Sequence, residues 1–297
     1  MGLGGPEGTA SFRRCARATC TCVVSGLENV ETDQTNQPPS VMGTAALSII
    51  SVNYRSVDWI RLLVHSVRRC GPSDAEILVV NNSREVFNLP GVSPVSPVGV
   101  PHHWMGIETG IRSAHGEWVL VLDADAHILR DGWFGDMLSC FADPGTMLIA
   151  AEGSLSKPYR PCVMFFRRSY FLGCGSSFKP YSQADSVEHA KTYRSHPGPV
   201  YFDVGVDFAL RTIDHGFRVI ALPVTGEGYQ CRKENAWGTV YSLNSTPTFY
   251  HHAYGSRFSH GAKEIDQRSR AQFERAKSDL FAEYQERFGP LDSFESA

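Results

Sequence analysis

The stretch Gly110-Ile-Arg-Ser-Ala-His-Gly-Glu-Trp-Val-Leu-Val-Leu-Asp-Ala-Asp125-Ala-His127 decides how the rest of the chain is read. Its centre, Glu117 to Leu122, is an apolar run too short for a helix and rich in strand formers. The helix before it, about Gly106 to Ala114, stops at His115-Gly116, where glycine can take the left-handed cap conformation. The strand then runs directly into Asp123 and Asp125, two carboxylates one residue apart. The bland alternative for Asp123 to His127 is a polar turn leading into Ile128-Leu129.

Two further apolar runs lie upstream. Leu47-Ser-Ile-Ile-Ser-Val-Asn53 reads as a buried strand, and Val57 to Val67 carries apolar residues at helical spacing until Gly71-Pro72. Glu76 to Val80 is the next strand and meets Asn81-Asn82-Ser83. The Pro-rich residues Leu89 to Pro101 read as a loop with room for a short strand. Strand, helix, strand, helix, strand predicts parallel strands joined by crossover helices. Ligands of such sheets sit beyond the carboxyl ends of the strands, and Asn53, Asn81 and Asp123 all fall there.

Downstream the pattern loosens. Trp133 to Phe141 suits a helix, Val163 to Phe166 a strand, and Ser176 to Pro199 an extended loop. Val204 to Asp214 has a helical apolar face, Phe217 to Leu222 is a strand, and Lys263 to Phe288 is a long polar helix. Residues 1–45, rich in Gly, Thr, Pro, Asn and Gln, read as a disordered leader, with Met42 a candidate start. One domain is expected over 46–262, divided into a nucleotide-binding half at 46–125 and an acceptor half at 126–262. A C-terminal helix and tail cover 263–297.

Composition narrows the class. The 297 residues are 42% hydrophobic and 20% charged, with a net charge of -3, which gives no electrostatic ground for a nucleic-acid partner. No run approaches the about 18 apolar residues needed to span a bilayer, so membrane contact is at most peripheral. The eight Cys show no C-x-x-C spacing and read as reduced thiols of a cytoplasmic protein.

The paired carboxylates carry the chemistry. Asp123 and Asp125 suit Mg²⁺ or Mn²⁺, which take oxygen ligands and can also bind a diphosphate and stabilise it as a leaving group. His127 adds a nitrogen ligand that Mn²⁺ accepts.

Three segments together resemble family-2 glycosyltransferases of the GT-A fold: Ser48-Ile-Ile-Ser-Val-Asn-Tyr-Arg55, Glu76-Ile-Leu-Val-Val-Asn-Asn-Ser83, and Gly110 to Asp125. The resemblance is good from about Leu47 to Trp133 and looser to about Arg257. It implies a mostly parallel central sheet flanked by helices, with a smaller mixed sheet on the acceptor side. It also implies transfer of a sugar from a nucleoside diphosphate, UDP favoured, to a hydroxyl of a glycan or other acceptor, as in surface-polysaccharide synthesis. Val52, Asn53 and Tyr54 then line the nucleotide pocket, with Asp123, Ala124 and Asp125 at the diphosphate. Asn81 stands where relatives commonly carry the Asp that reads the uracil imide; its amide oxygen can still accept that N–H. Glu108 replaces a frequent Asn and is assigned no role.

Relatives that invert configuration carry an acidic pair at a later helix start. Here Val204-Gly205 occupies that place, so Asp203 or Asp207 is the candidate base. The bland alternative makes Asp203 an N-cap and pairs Asp207 with Arg211. A retaining transferase, or a degenerate protein of the same fold that binds a glycan or partner, stays open. The resemblance further offers His251 or His252 to the metal, only one of them because neighbours on a strand point to opposite faces. Arg257 would then hold the diphosphate. His102-His103-Trp104 and Lys179 to Ser182 are candidate sugar or acceptor contacts. A dinucleotide-binding fingerprint and a P-loop are both absent from the sequence, and the loop after the first strand lacks the glycines a nucleotidyltransferase would need.

Overall fold

Seven consecutive buried residues, Leu47–Asn53, form β1, and their burial on both faces sets the architecture. A strand covered on both sides cannot alternate polar and apolar residues, which is why it reads as a continuous run. The computed structural model describes residues 46–83, 88–96, 102–154, 157–182, 185, 188–189, 191–193, 202–225, 238–252 and 267–291. The leader expected over 1–45, and Arg257, lie outside the described residues.

β1 is followed by α1 (Val57–Cys70), β2 (Glu76–Asn81), β3 (Ser93–Val95), α2 (His103–Ser113), β4 (Trp118–Leu122) and β5 (Ala126–Ile128). Then come α3 (Trp133–Cys140), β6 (Thr146–Ser154), β7 (Lys157–Arg167), α4 (Arg168–Gly173), α5 (Val206–Asp214), β8 (Arg218–Leu222), β9 (Gly238–Leu243), β10 (Thr246–His252) and α6 (Gln267–Phe288). The large sheet has seven strands in the order β3-β2-β1-β4-β7-β6-β8. β3, β2, β1 and β4 run parallel, β7 is antiparallel to both β4 and β6, and β8 is parallel to β6. This is the mostly parallel, helix-flanked α/β sheet expected. The small sheet, β5-β10-β9, is antiparallel throughout rather than mixed.

The helices cover both faces. α1 lays Ile60, Leu63, Val64 and Val67 against Leu47 and Ile49. α2 lays Ile107 and Ile111 against Ile50, Val52, Leu78 and Val80 on the other side. Glycines let α2 approach closely: a Cβ on Gly110 would sit 2.5 Å from the Ile50 Cγ2, and one on Gly106 2.9 Å from the Val52 Cγ2. Gly116 is not a left-handed cap. The helix ends on Ala114, and a Cβ on Gly116 would meet the Ser48 backbone nitrogen at 2.6 Å, so close backbone approach is what requires glycine there.

α6 is docked. Leu280 and Tyr284 join Trp59, Leu62, Leu129, Val240 and Tyr250 in one buried cluster, and the Tyr284 hydroxyl lies 2.8 Å from His65 Nδ1. Cys70, Cys140, Cys162 and Cys174 are free thiols. Burial pushes the Cys70 thiol up to about 11, with Asp131 adding to it. Among the described residues, no helix is long and apolar enough to cross a membrane.

Candidate functional site

β4 ends at Leu122, and the next residues turn before β5 starts at Ala126. The turn closes with Ala126 N–H donating to the Asp123 carbonyl at 2.9 Å, while Asp123 N–H donates to Cys162 on β7 at 3.2 Å. One short segment thus leaves the large sheet and enters the small one. Both carboxylates sit at this seam.

β10 brings the third group. His252 N–H donates to the Asp125 carbonyl at 2.9 Å, and His251 pairs with Ala126 across the ladder. That register puts His251 Nε2 at 3.3 Å from Asp125 Oδ1 and 3.6 Å from Asp123 Oδ2. Ligand atoms of Asp123, Asp125 and His251 all lie within 4.8 Å of one another. Asp125 is buried and Asp123 and His251 nearly so.

Two of the histidines expected as ligands are elsewhere. His127 pairs with Tyr250, so both face away from the carboxylates, and its ring packs against Tyr250 and Tyr284 at 5.1 and 5.2 Å between centroids. Burial pushes the His127 pKa down to about 3, helped by the positive surroundings of His252 and Arg287. His252 follows on the same side of β10 and lies on Trp59, 4.8 Å between centroids.

The electrostatics of the cluster favour a cation. Burial raises the Asp123 pKa; His103 and His251 oppose this, and Asp125 and Asp203 add to the raise. Burial works against a charged His251 ring, yet Cys162 and Asp125 beside it hold its pKa well above the usual histidine range. Asp123 Oδ1 is a buried acceptor with no hydrogen-bond partner among the described residues. Two neighbouring carboxylates, one buried and one largely so, and an imidazole are a donor set that fits Mn²⁺ or Mg²⁺, and a bound dication would offset the cost of burying them.

The strand ends beside this cluster are tightly tied. Asn53 Oδ1 accepts Ser56 N–H at 3.0 Å, which fixes its amide, and Asn53 Nδ2 then donates to Asn81 Oδ1 at 3.0 Å. Asn81 Oδ1 also accepts from Ser83 N–H at 3.2 Å and Ser83 Oγ at 2.8 Å. The oxygen offered to a base imide is therefore turned inward, toward three donors. Tyr54 is exposed, and Arg55 follows it in the left-handed region at φ 54 with its guanidinium 5.6 Å from the Tyr54 ring centroid. A long side chain held there is strained, as backbone often is beside a site. Val52 and Ala124 are buried.

Asp203 and Asp207, indistinguishable in sequence, separate here. Asp207 is 2% exposed and accepts from Ser177 N–H at 3.0 Å, from His189 Nε2 at 2.9 Å and from the Tyr193 hydroxyl, with Arg211 Nε 4.0 Å away. Both of its oxygens hold the segment before α5 in place. Asp203 is only half-buried, accepts Val204 N–H at 2.9 Å, and is near enough to Asp123 to raise its pKa. Glu108, assigned no role from sequence, accepts from Ser177 Oγ at 2.7 Å and Phe178 N–H at 2.9 Å, so it anchors the same segment. No sequence signal marked it, because its partners lie 69 and 70 residues away. His103, a candidate sugar or acceptor contact by sequence, has its Nε2 3.6 Å from Asp123 Oδ1.

No protein-family model matches this chain, and no curated protein matches it. Among solved structures, it resembles the mannosyltransferase PcManGT from Pyrobaculum calidifontis in complex with GDP-Man and Mn²⁺: 17% identity, TM-score 0.45, over 65% of this chain and 59% of that one. It also resembles S. aureus TarS 1-349, at 11% identity and TM-score 0.44, over 84% of this chain and 75% of that one. GalNAc-T7 with UDP, GalNAc and Mn²⁺ follows at 13% identity and TM-score 0.39, over 60% of this chain and 42% of that one. These likenesses carry no weight in the functional reading, which rests on the residues of this chain.

Proposed function

We propose that this chain is a divalent-cation-dependent glycosyltransferase that moves a sugar from a nucleoside diphosphate to an acceptor hydroxyl. The observation that carries it is the Asp123, Asp125 and His251 cluster at the carboxyl end of β4, where a parallel sheet binds its ligands. In this reading those three residues hold Mn²⁺ or Mg²⁺, whose charge stabilises the departing diphosphate. Asn53 and the turn it fixes shape the nucleotide pocket, with Tyr54 exposed beside it. Asn81 supports that wall rather than reading an imide, so the base is a matter for direct test, UDP first.

Asp203 is the general base we propose, taking the acceptor proton as the oxygen attacks the anomeric carbon with inversion. Its nearness to Asp123 supports this, as does the commitment of both Asp207 oxygens to Ser177, His189 and Tyr193. A glycan acceptor and a cytoplasmic setting are part of the same proposal.

The test is thermal shift with UDP, GDP, CDP and dTDP, each with and without Mn²⁺. A ligand at 100 times its Kd adds about 2.7 kcal/mol to stability. One nucleotide should stabilise the protein only when Mn²⁺ is present, and Asp125→Ala should abolish that response. Silence with every pair would replace the transferase with a degenerate binding protein.

A further inference from the structure

We infer that His103 is a positioning residue for the cation site: its imidazole faces Asp123 Oδ1 and closes to a hydrogen bond there when a cation takes Oδ2 beside His251 and Asp125. The inference rests on the cation-dependent reading above. Asp123 lies between two imidazoles that come from different elements. His103 Nε2, from the first turn of α2, is 3.6 Å from Oδ1, and His251 Nε2, from β10, is 3.6 Å from Oδ2. Only His251 also reaches Asp125, at 3.3 Å, so the two histidines are not equivalent. The three-residue cluster is built on the Oδ2 side, and His103 stands outside it on the other oxygen.

A residue can steer a carboxylate only if its own backbone is fixed, and that of His103 is. Asn82 Nδ2 donates to the His102 carbonyl at 3.2 Å, and Asn82 N–H donates to Asn53 at 2.8 Å, tying the start of α2 to the ends of β1 and β2. One turn along, Gly106 lets the helix rest on Val52, where a Cβ would be 2.9 Å from its Cγ2. His103 itself is 41% exposed, so it contributes little to the core. Groups that orient a ligating side chain typically change metal affinity by about 10–100-fold when removed.

The experiment measures Mn²⁺ alone, by EPR titration of free ion, on the full chain and on His103→Leu, His103→Gln and Asp125→Ala. Leu keeps bulk without a donor, and Gln keeps a donor near the Nε2 position. His103→Leu should bind Mn²⁺ about 10-fold more weakly, while His103→Gln stays within about threefold of wild type. Equal affinity in His103→Leu and wild type overturns the inference, as does equal weakening in Leu and Gln, which would mark a packing effect. If wild type and Asp125→Ala are both silent, the cation site itself is wrong and the inference falls with it.

Discussion

Replacing Asp207 by Asn should unfold the protein more than it should disarm it. The carboxylate is 2% exposed and receives a backbone N–H, an imidazole nitrogen and a phenol hydroxyl, with a guanidinium at 4.0 Å. An Asn keeps one acceptor oxygen and turns an NH₂ toward groups that are themselves donors. Hydrogen bonds to a charged group contribute roughly 1.5–3 kcal/mol each, so losing two of them costs about 3 kcal/mol or more. That is a large share of the roughly 5–15 kcal/mol that stabilises a domain. Asp203→Asn is the matched control. Its bond from Val204 N–H survives on the amide oxygen, so stability should fall by less than in Asp207→Asn. Turnover should instead fall by about 10²–10⁴, the range of a lost general base. Urea unfolding gives the first quantity, and turnover per folded molecule the second. The reasoning fails if Asp207→Asn unfolds like wild type but loses turnover while Asp203→Asn keeps it.

Two further outcomes are expected. His127 is held neutral with its pKa near 3, below the ordinary histidine value, so the unfolded chain binds its proton first as pH falls. Stability should therefore be full above about pH 6.5 and drop by about 2 kcal/mol at pH 5, read by urea unfolding; His127→Phe should flatten that slope, and an unchanged slope would remove His127 as its source. Tyr284→Phe removes the hydroxyl at 2.8 Å from His65 Nδ1 and should cost about 1–2 kcal/mol, read the same way. A change under about 0.3 kcal/mol would mean that this hydroxyl contributes nothing to the docking of α6.

Much of the fold was legible where burial acts on both faces of a strand. β1 and β4 are buried along their whole length and β2 from Ile77 to Val80, so their sequences read as largely apolar runs. β6 did not appear: Thr146-Met-Leu-Ile-Ala-Ala-Glu-Gly-Ser154 contains weak strand formers, and its place is set by pairing with β7 and β8. α2 begins at His103, earlier than Gly106, because no side-chain cap marks its start and the tie from Asn82 comes from another element. Its early start is also what delivers His103 to Asp123. What separates the settings of Asp203 and Asp207 is Ser177, His189 and Tyr193, which bond Asp207 from 30, 18 and 14 residues away in sequence. Helix spacing alone contains nothing about them.

His127 illustrates why the spacing of a motif does not by itself place a histidine beside its carboxylates. Spacing of two along an extended strand would place His127 on the side of Asp125. The bond from Ala126 N–H to the Asp123 carbonyl makes a turn between them, so the alternation restarts in β5 with its own phase. That phase is fixed by β10, which pairs Tyr250 with His127 and His251 with Ala126. The same turn therefore sends His127 into the aromatic layer under α6 and leaves the side facing the carboxylates to His251. The cluster belongs to neither sheet alone. Asp123 is positioned through β7, Asp125 through His252 N–H, and His251 through the β5–β10 register. A one-residue slip of β10 would turn His251 away and bring a neighbour to the carboxylates, since register on a strand assigns each side chain to a face.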